Sequence, residues 1–210
     1  MNRNEYLNRM GIEDNLEKWN NTLSINPEPD ITNKISIYFD MDGTLAVFNK
    51  GKTMEEIFSP GYFRNLEPNK NIVSLAKQLC ADENVNVYVL SKSSYEAIQE
   101  KIDWLEEYIP EIHKENIVFV PLEANKRDFI PNSFNVQILI DDYNKNLNDW
   151  DGLAVKCVTD VNNENPDYDS IFYNLDVEDN ICLINDSLEK YINDVDIERD
   201  VIDNKYCGLP

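Results

Sequence analysis

Asp40 and Asp42 stand two residues apart in Asp40-Met41-Asp42-Gly43-Thr44, directly after the apolar run Ile35 to Phe39. Two carboxylates on one turn opened by glycine can divide labour, one attacking as a nucleophile and the other moving protons. The β-branched and aromatic run before them predicts a buried strand. The carboxyl end of such a strand is where open α/β sheets place their ligands. The same five residues also read as a plain surface turn, where Asp and Gly are common. An EF-hand calcium loop is excluded, because its glycine stands sixth and Gly43, counted from Asp40, stands fourth.

Three further positions carry chemistry in the same way. Ser91 follows the run Val85 to Leu90 (VNVYVL) and precedes Ser93 and Glu96, which have the spacing of a helix capping box. Its hydroxyl and the amides of the predicted helix start would face a bound anion. Lys126 follows Ile117 to Val120 (IVFV), and Asp141-Asp142 closes Val136 to Ile140 (VQILI). Singly, each has an ordinary reading as a turn residue, a solvated lysine or a helix start. Four such positions in order, each at the carboxyl end of a predicted parallel strand, are not explained by turns alone.

The elements that would position them alternate. Strands are predicted at Ile35 to Phe39, Val85 to Leu90, Ile117 to Val120, Val136 to Ile140 and Ala154 to Val158. Helical spacing runs from Asn71 to Cys80 (Ile72, Leu75, Ala76, Leu79) and from Tyr95 to Ile109 (Ile98, Ile102, Leu105, Ile109), with Pro110 just past the second. Alternating strands and helices predict an α/β fold with a parallel sheet and right-handed crossovers. Residues 1–34 are expected to form a helical extension, with short helices at Tyr6 to Met10 and Leu16 to Leu23 before the break at Pro27-Glu28-Pro29. Residues 35–161 are expected to be the catalytic core. Residues 162–210 read as an acidic extension, with a strand near Ile181 to Ile184 and a helix opening at Asp186 and Glu189.

Composition limits the partners. The 210 residues carry 40 Asp and Glu against 19 Lys and Arg, a formal net charge of −21. That field repels nucleic-acid duplexes and anionic membranes alike. A small phosphate ester stays admissible, since local cations can overcome a distant field. The four cysteines (Cys80, Cys157, Cys182, Cys207) form no Cys-x-x-Cys pair and there is a single histidine, which argues against zinc and for free thiols. With no apolar stretch approaching the roughly 20 residues of a membrane span, a cytoplasmic protein is expected. Oligomeric state is not readable from these residues.

The order Asp40-x-Asp42-Gly43-Thr44, Ser91, Lys126, Asp141-Asp142 resembles the four motifs of the haloacid dehalogenase superfamily over about residues 35–160. Within it the chain is most similar to the 5′(3′)-deoxyribonucleotidase group, cytosolic type C. FDMDGTLAVF, GYFRNLEP (Gly61 to Pro68) and LIDD (Leu139 to Asp142) carry that likeness. The resemblance implies a three-layer α/β/α Rossmann-like core with a reduced cap at about residues 45–66, and a phosphatase rather than a dehalogenase, since dehalogenases lack an acid at the place of Asp42.

It further implies that Asp40 attacks phosphorus while Asp42 protonates the departing oxygen and then activates water. Mg²⁺ would be held by Asp40, Asp42 through its carbonyl, and the pair Asp141 and Asp142, either of which could be the direct ligand. Ser91 and Lys126 would clamp the phosphoryl oxygens, with Met41 and Thr44 as further phosphate-binding positions. The expected substrate is a (deoxy)nucleoside monophosphate. Only about fifteen residues (Leu45 to Pro60) fill the space of the family's base-recognising insertion, so Phe48, Tyr62 and Phe63 are the expected base contacts. Two alternatives stand beside this one. A small-cap phosphatase would take sugar phosphates or a phosphoprotein, and a non-catalytic interaction module would use its acidic extensions as partner surfaces.

Overall fold

The computed structural model describes residues 35–206 apart from 50, 58, 132–134 and 164–166, with side chains described as far as residue 195. The expected helices at Tyr6 to Met10 and Leu16 to Leu23 lie outside these residues. Six parallel strands form one sheet: β1 (Ile35–Phe39), β2 (Val85–Ser93), β3 (Ile117–Pro121), β4 (Gln137–Asp141), β5 (Leu153–Val158) and β6 (Asp169–Phe172), in the order β3-β2-β1-β4-β5-β6. The helices are α1 (Met54–Ile57), α2 (Lys70–Cys80), α3 (Ile98–Tyr108), α4 (Asn144–Asn148) and α5 (Val177–Tyr206). Among the described residues no helix is long and apolar enough to cross a membrane.

The strand order fixes where a ligand can sit. The chain steps outward from β1 to β2 to β3, then jumps back across β1 to β4. Connections therefore diverge between β1 and β4, leaving a crevice beyond their carboxyl ends. Phe39 is paired with both Val89 and Ile140, and the Asp40 amide donates to the Ile140 carbonyl at 2.9 Å. Asp40 thus leaves the sheet at that crevice, next to the last residue of β4, Asp141.

Alternation along the strands sorts the core into two layers. Ile37, Phe39, Val87, Val89, Ile138, Ile140 and Val155 face one way, packed with Ile72 and Leu75 of α2, Ile102 and Leu105 of α3 and Ile184 of α5. Tyr38, Tyr88, Leu90, Val118 and Leu139 face the other way, against Phe129, Ile130, Leu147 and Trp150. That second layer is thin, a 3₁₀ turn (Lys126–Phe129) and the five-residue α4, and aromatic bulk thickens it. Tyr38 stacks on Tyr88 with ring centroids 4.8 Å apart and meets the edge of Trp150 at 5.5 Å.

Three expectations are corrected. The capping box does not form: β2 runs on to Ser93, α3 begins only at Ile98, and the Ser93 hydroxyl donates to the Ser94 carbonyl instead. The β3 strand supplies a partner as far as Pro121, in register with Ser93, so pairing outcompetes the cap. The strand near Ile181 to Ile184 and the helix opening at Asp186 are both absent. These residues lie inside α5, whose start is marked by the Asp176 carboxylate accepting from the Asp179 amide at 2.9 Å. The strand of this region is β6, which continues the sheet past residue 161, with Ile171 and Ile184 buried in the main core.

Candidate active site

The functional side chains come from the ends of three strands: Asp40 and Asp42 after β1, Lys126 from the turn after β3, and Asp141 and Asp142 at the end of β4. Asp40 is 6% exposed and Asp141 fully buried, and Lys126 reaches between them: its Nζ donates to Asp40 Oδ1 at 2.5 Å and to Asp141 Oδ2 at 2.6 Å. The lysine is carried by the 3₁₀ turn after β3, held down by Phe129 and Ile130 in the thin layer and by the Asn125 side chain accepting from the Arg127 amide. Asp141 is fixed further by the Tyr143 amide on Oδ1 at 2.8 Å and by Asn146 Nδ2 on Oδ2 at 2.9 Å. Asp142 is held by Asn162 at its carboxylate and by Lys156 at its carbonyl, and Lys156 also donates to Asn144 at 2.6 Å.

Asp40, Asp141 and Asp142 each place a carboxylate oxygen within 4.8 Å of the others. Burial pushes Asp40 well above the usual carboxylate range and Asp142 up to about 7, with the charge of Asp141 adding to both and Lys126 opposing. Lys126 moves upward as well, because the attraction of Asp141 and Asp40 outweighs the burial of its own charge. Lys156 also opposes the rise of Asp142, yet two lysines against three crowded, desolvated carboxylates still leave negative charge in excess. An all-oxygen donor set with surplus negative charge fits a hard divalent cation such as Mg²⁺.

Gly43 is required by this packing. Its φ is +95°, and a Cβ there would lie 2.3 Å from Asp142 Oδ2. The β1 loop can close on Asp142 only with glycine at this place. Gly43→Ala is therefore expected to cut metal affinity and turnover at least tenfold while the rest of the chain stays folded, which metal titration beside a thermal melt would check.

Asp42 is not in the carboxylate cluster, and its side chain is 22% exposed. It is tied to a second cation, Lys101, whose Nζ donates to Asp42 Oδ2 at 2.5 Å, to the Lys92 carbonyl at 2.7 Å and to Ser91 Oγ at 3.2 Å. Ser91 is fully buried and lies within β2, two residues short of its last residue Ser93, rather than following the strand. Met41 and Thr44 are also fully buried: the Met41 side chain belongs to the core, and Thr44 Oγ1 has no hydrogen-bond partner among the described residues.

The three expected aromatic contacts come together. Phe48 meets Tyr62 edge-on at 6.4 Å, Tyr62 meets Phe63 at 5.1 Å, and Lys101 Nζ lies 4.8 Å above the Phe63 ring. A chain of rings therefore leads from the cap segment to the Asp42 side of the site. Glu100 of α3 holds that segment, its carboxylate accepting from the amides of Gly61 at 2.6 Å and Phe63 at 3.1 Å. Trp104 Nε1 adds a bond to the Leu66 carbonyl at 2.7 Å.

Lys101, Lys156, Glu100, Asn146 and Asn162 were not anticipated from sequence. Two of them left a signal. Lys101 falls in the apolar stripe of α3 between Ile98 and Leu105, and Lys156 interrupts the apolar strand LAVKCV. A charge at a position the pattern reserves for the core is retained for a partner.

A family model described as 5′ nucleotidase, deoxy (Pyrimidine), cytosolic type C protein matches residues 48–182, more than half of the chain. The chain belongs to this family. Membership places it in the haloacid dehalogenase superfamily and agrees with the parallel sheet and the strand-end carboxylates. The matched span takes in Ser91, Lys126, Asp141 and Asp142, while Asp40 and Asp42 precede it. No curated protein matches the chain. Among solved structures, a chain of the Pnkp1/Rnl/Hen1 complex is similar at 17% identity and a TM-score of 0.43, over 59% of this chain and 44% of that one. The HAD domain of effector protein Lem4 from Legionella pneumophila is similar at 16% identity and 0.37, over 56% and 78%. The chain thus spans less than half the length of the first of these.

Proposed function

We propose that this family member is a Mg²⁺-dependent phosphomonoesterase that works through an aspartyl phosphate, with a nucleoside monophosphate as substrate. The observation that carries the reading is Lys126 bridging Asp40 and Asp141 beside Asp142, at the crevice between β1 and β4. Asp40 is the carboxylate at the strand end, and Lys126 beside it offsets the repulsion between this nucleophile and an anionic phosphoryl group.

Asp40 Oδ attacks phosphorus in line, the bond to the ester oxygen breaks, and Asp42 gives that oxygen its proton. Asp42 then takes a proton from water as the water attacks phosphorus, returning Asp40 and inorganic phosphate. Asp40, Asp141 and Asp142 would hold the metal, which supplies charge neutralisation at the phosphoryl oxygens when bound. Ser91, whose hydroxyl accepts from Lys101 on the Asp42 side, would donate to a phosphoryl oxygen.

The family description and the ring series Phe48, Tyr62, Phe63 support a nucleotide substrate. Stacking on such rings is worth about 1 to 3 kcal/mol per base in nucleic-acid sites, so the preference over a generic aryl phosphate should be at least several-fold. A panel of nucleoside monophosphates, sugar phosphates and aryl phosphates assayed with Mg²⁺ tests this. Nucleotides should lead, and Phe48→Ala should narrow the gap. Equal rates throughout, with Phe48→Ala neutral, would favour the small-cap reading, for which the four-residue α1 as the cap's one α-helix among the described residues speaks.

A further inference from the structure

Lys101 is fully buried in the first turn of α3. Helical side chains lean toward the helix N-terminus, so from this position the ammonium reaches back to the carboxyl end of β2. Its neighbours along the stripe, Ile98, Ile102 and Leu105, are core residues that a methionine at 101 would match. Packing alone therefore gives no reason for a charge here. The polar contacts do: Asp42 Oδ2, Ser91 Oγ and the Lys92 carbonyl take up the ammonium's three donors, and the Phe63 ring closes the remaining side.

Two buried lysines consequently flank the Asp40 and Asp42 pair. Lys126 is committed to Asp40 and Asp141 on the nucleophile side, whereas Lys101 sits on the Asp42 side and is not bonded to the carboxylate cluster. A phosphoryl group attacked by Asp40, with its leaving oxygen toward Asp42, must lie between them. The Asp42 carboxylate is only half satisfied among the described residues, for its Oδ1 is buried without a hydrogen-bond partner there. An entering phosphoryl group offers stronger acceptors at the same place.

We propose that Lys101 is a second phosphate-binding cation, which transfers its Asp42 bond to a non-bridging phosphoryl oxygen shared with Ser91 when a phosphomonoester enters. The exchange frees the Asp42 carboxyl to turn toward the leaving oxygen. This rests on the phosphatase reading above.

Orthovanadate affinity in the presence of Mg²⁺ tests it, measured on the full chain and on Lys101→Met, Asp42→Asn and the double variant. If Lys101 touches the anion, Lys101→Met weakens vanadate at least tenfold, the low end for a charge-assisted hydrogen bond, and does so at least as strongly in the Asp42→Asn background, where no Asp42 bond has to be given up. The double variant removes both charges together and so remains comparable with Asp42→Asn even if Lys101→Met alone fails to fold. Mn²⁺ affinity should stay within twofold throughout, since Lys101 is not bonded to the carboxylate cluster. Equal vanadate binding by Asp42→Asn and the double variant would overturn the proposal and leave Lys101 as the counter-ion of Asp42 alone. A wild-type chain that neither binds vanadate nor hydrolyses any phosphomonoester would instead overturn the phosphatase reading itself.

Discussion

Asp40→Asn should lower turnover by at least about four powers of ten, the scale seen when an attacking nucleophile is removed, with the fold intact. The substitution keeps the shape at the end of β1 and the Asp40 amide bond to the Ile140 carbonyl, so the sheet loses nothing. It also removes one of three crowded carboxylates whose mutual repulsion and burial raise Asp40 well above its ordinary range. Without metal the variant should therefore melt no lower than the wild type. Steady-state rates beside a thermal melt would check both halves, and a folded variant retaining more than a few per cent of activity would remove Asp40 from the chemistry.

Chelation should stop hydrolysis completely and Mg²⁺ should restore it, and the same site should make stability depend on pH in a defined direction. Asp142 is held up at about 7, by burial first and by Asp141 second, against roughly 3.9 for an aspartate in an unfolded chain. The unfolded chain thus gives up this proton more readily than the folded one, so folded-state stability falls as pH rises from about 4 and levels off above about 7. Metal-free protein should melt lower at pH 8 than at pH 5.5 by at least ~5 °C, the shift that about 2 kcal/mol produces in a chain of this length. Mg²⁺ should cancel most of that difference by replacing the proton. Asp142→Asn should flatten the metal-free profile, and a profile unchanged by this variant would show that the slope arises elsewhere on this strongly acidic surface.

The parts legible in the sequence were those written in local pattern. Runs such as ISIYF and VQILI read as buried strands because they are short, β-branched and followed by turn residues, and the acidic groups at their ends follow from that placement. The boundary errors came from competition that no local pattern records. The capping box at Ser93 and Glu96 is sound in isolation but yields to pairing of Ser93 with Pro121 on β3. Residues 181–184 read as a strand because Ile181, Leu183 and Ile184 are apolar, yet they fall on helix α5, where Ile184 packs into the main core.

The site was read best where a residue follows a strand and worst where a helix supplies it. Asp40, Lys126, Asp141 and Asp142 lie together in the structure, whereas Lys101, Glu100 and Asn146 come from helices whose facing depends on tertiary packing. Lys101 stands at helical spacing from Ile98 and Leu105, which puts it on the buried face of α3.

The covalent role of Asp40 is tested most directly by trapping. Rapid acid quench of the enzyme during turnover of a phosphomonoester, followed by borohydride reduction, converts an acyl phosphate to the alcohol, and peptide mass spectrometry locates it. The modification should appear on Asp40 only when substrate and Mg²⁺ are both present, and Asp42 should remain unmodified. Sustained phosphate release with no reducible acyl phosphate on Asp40 would mean that water attacks the substrate directly, and would contradict the account.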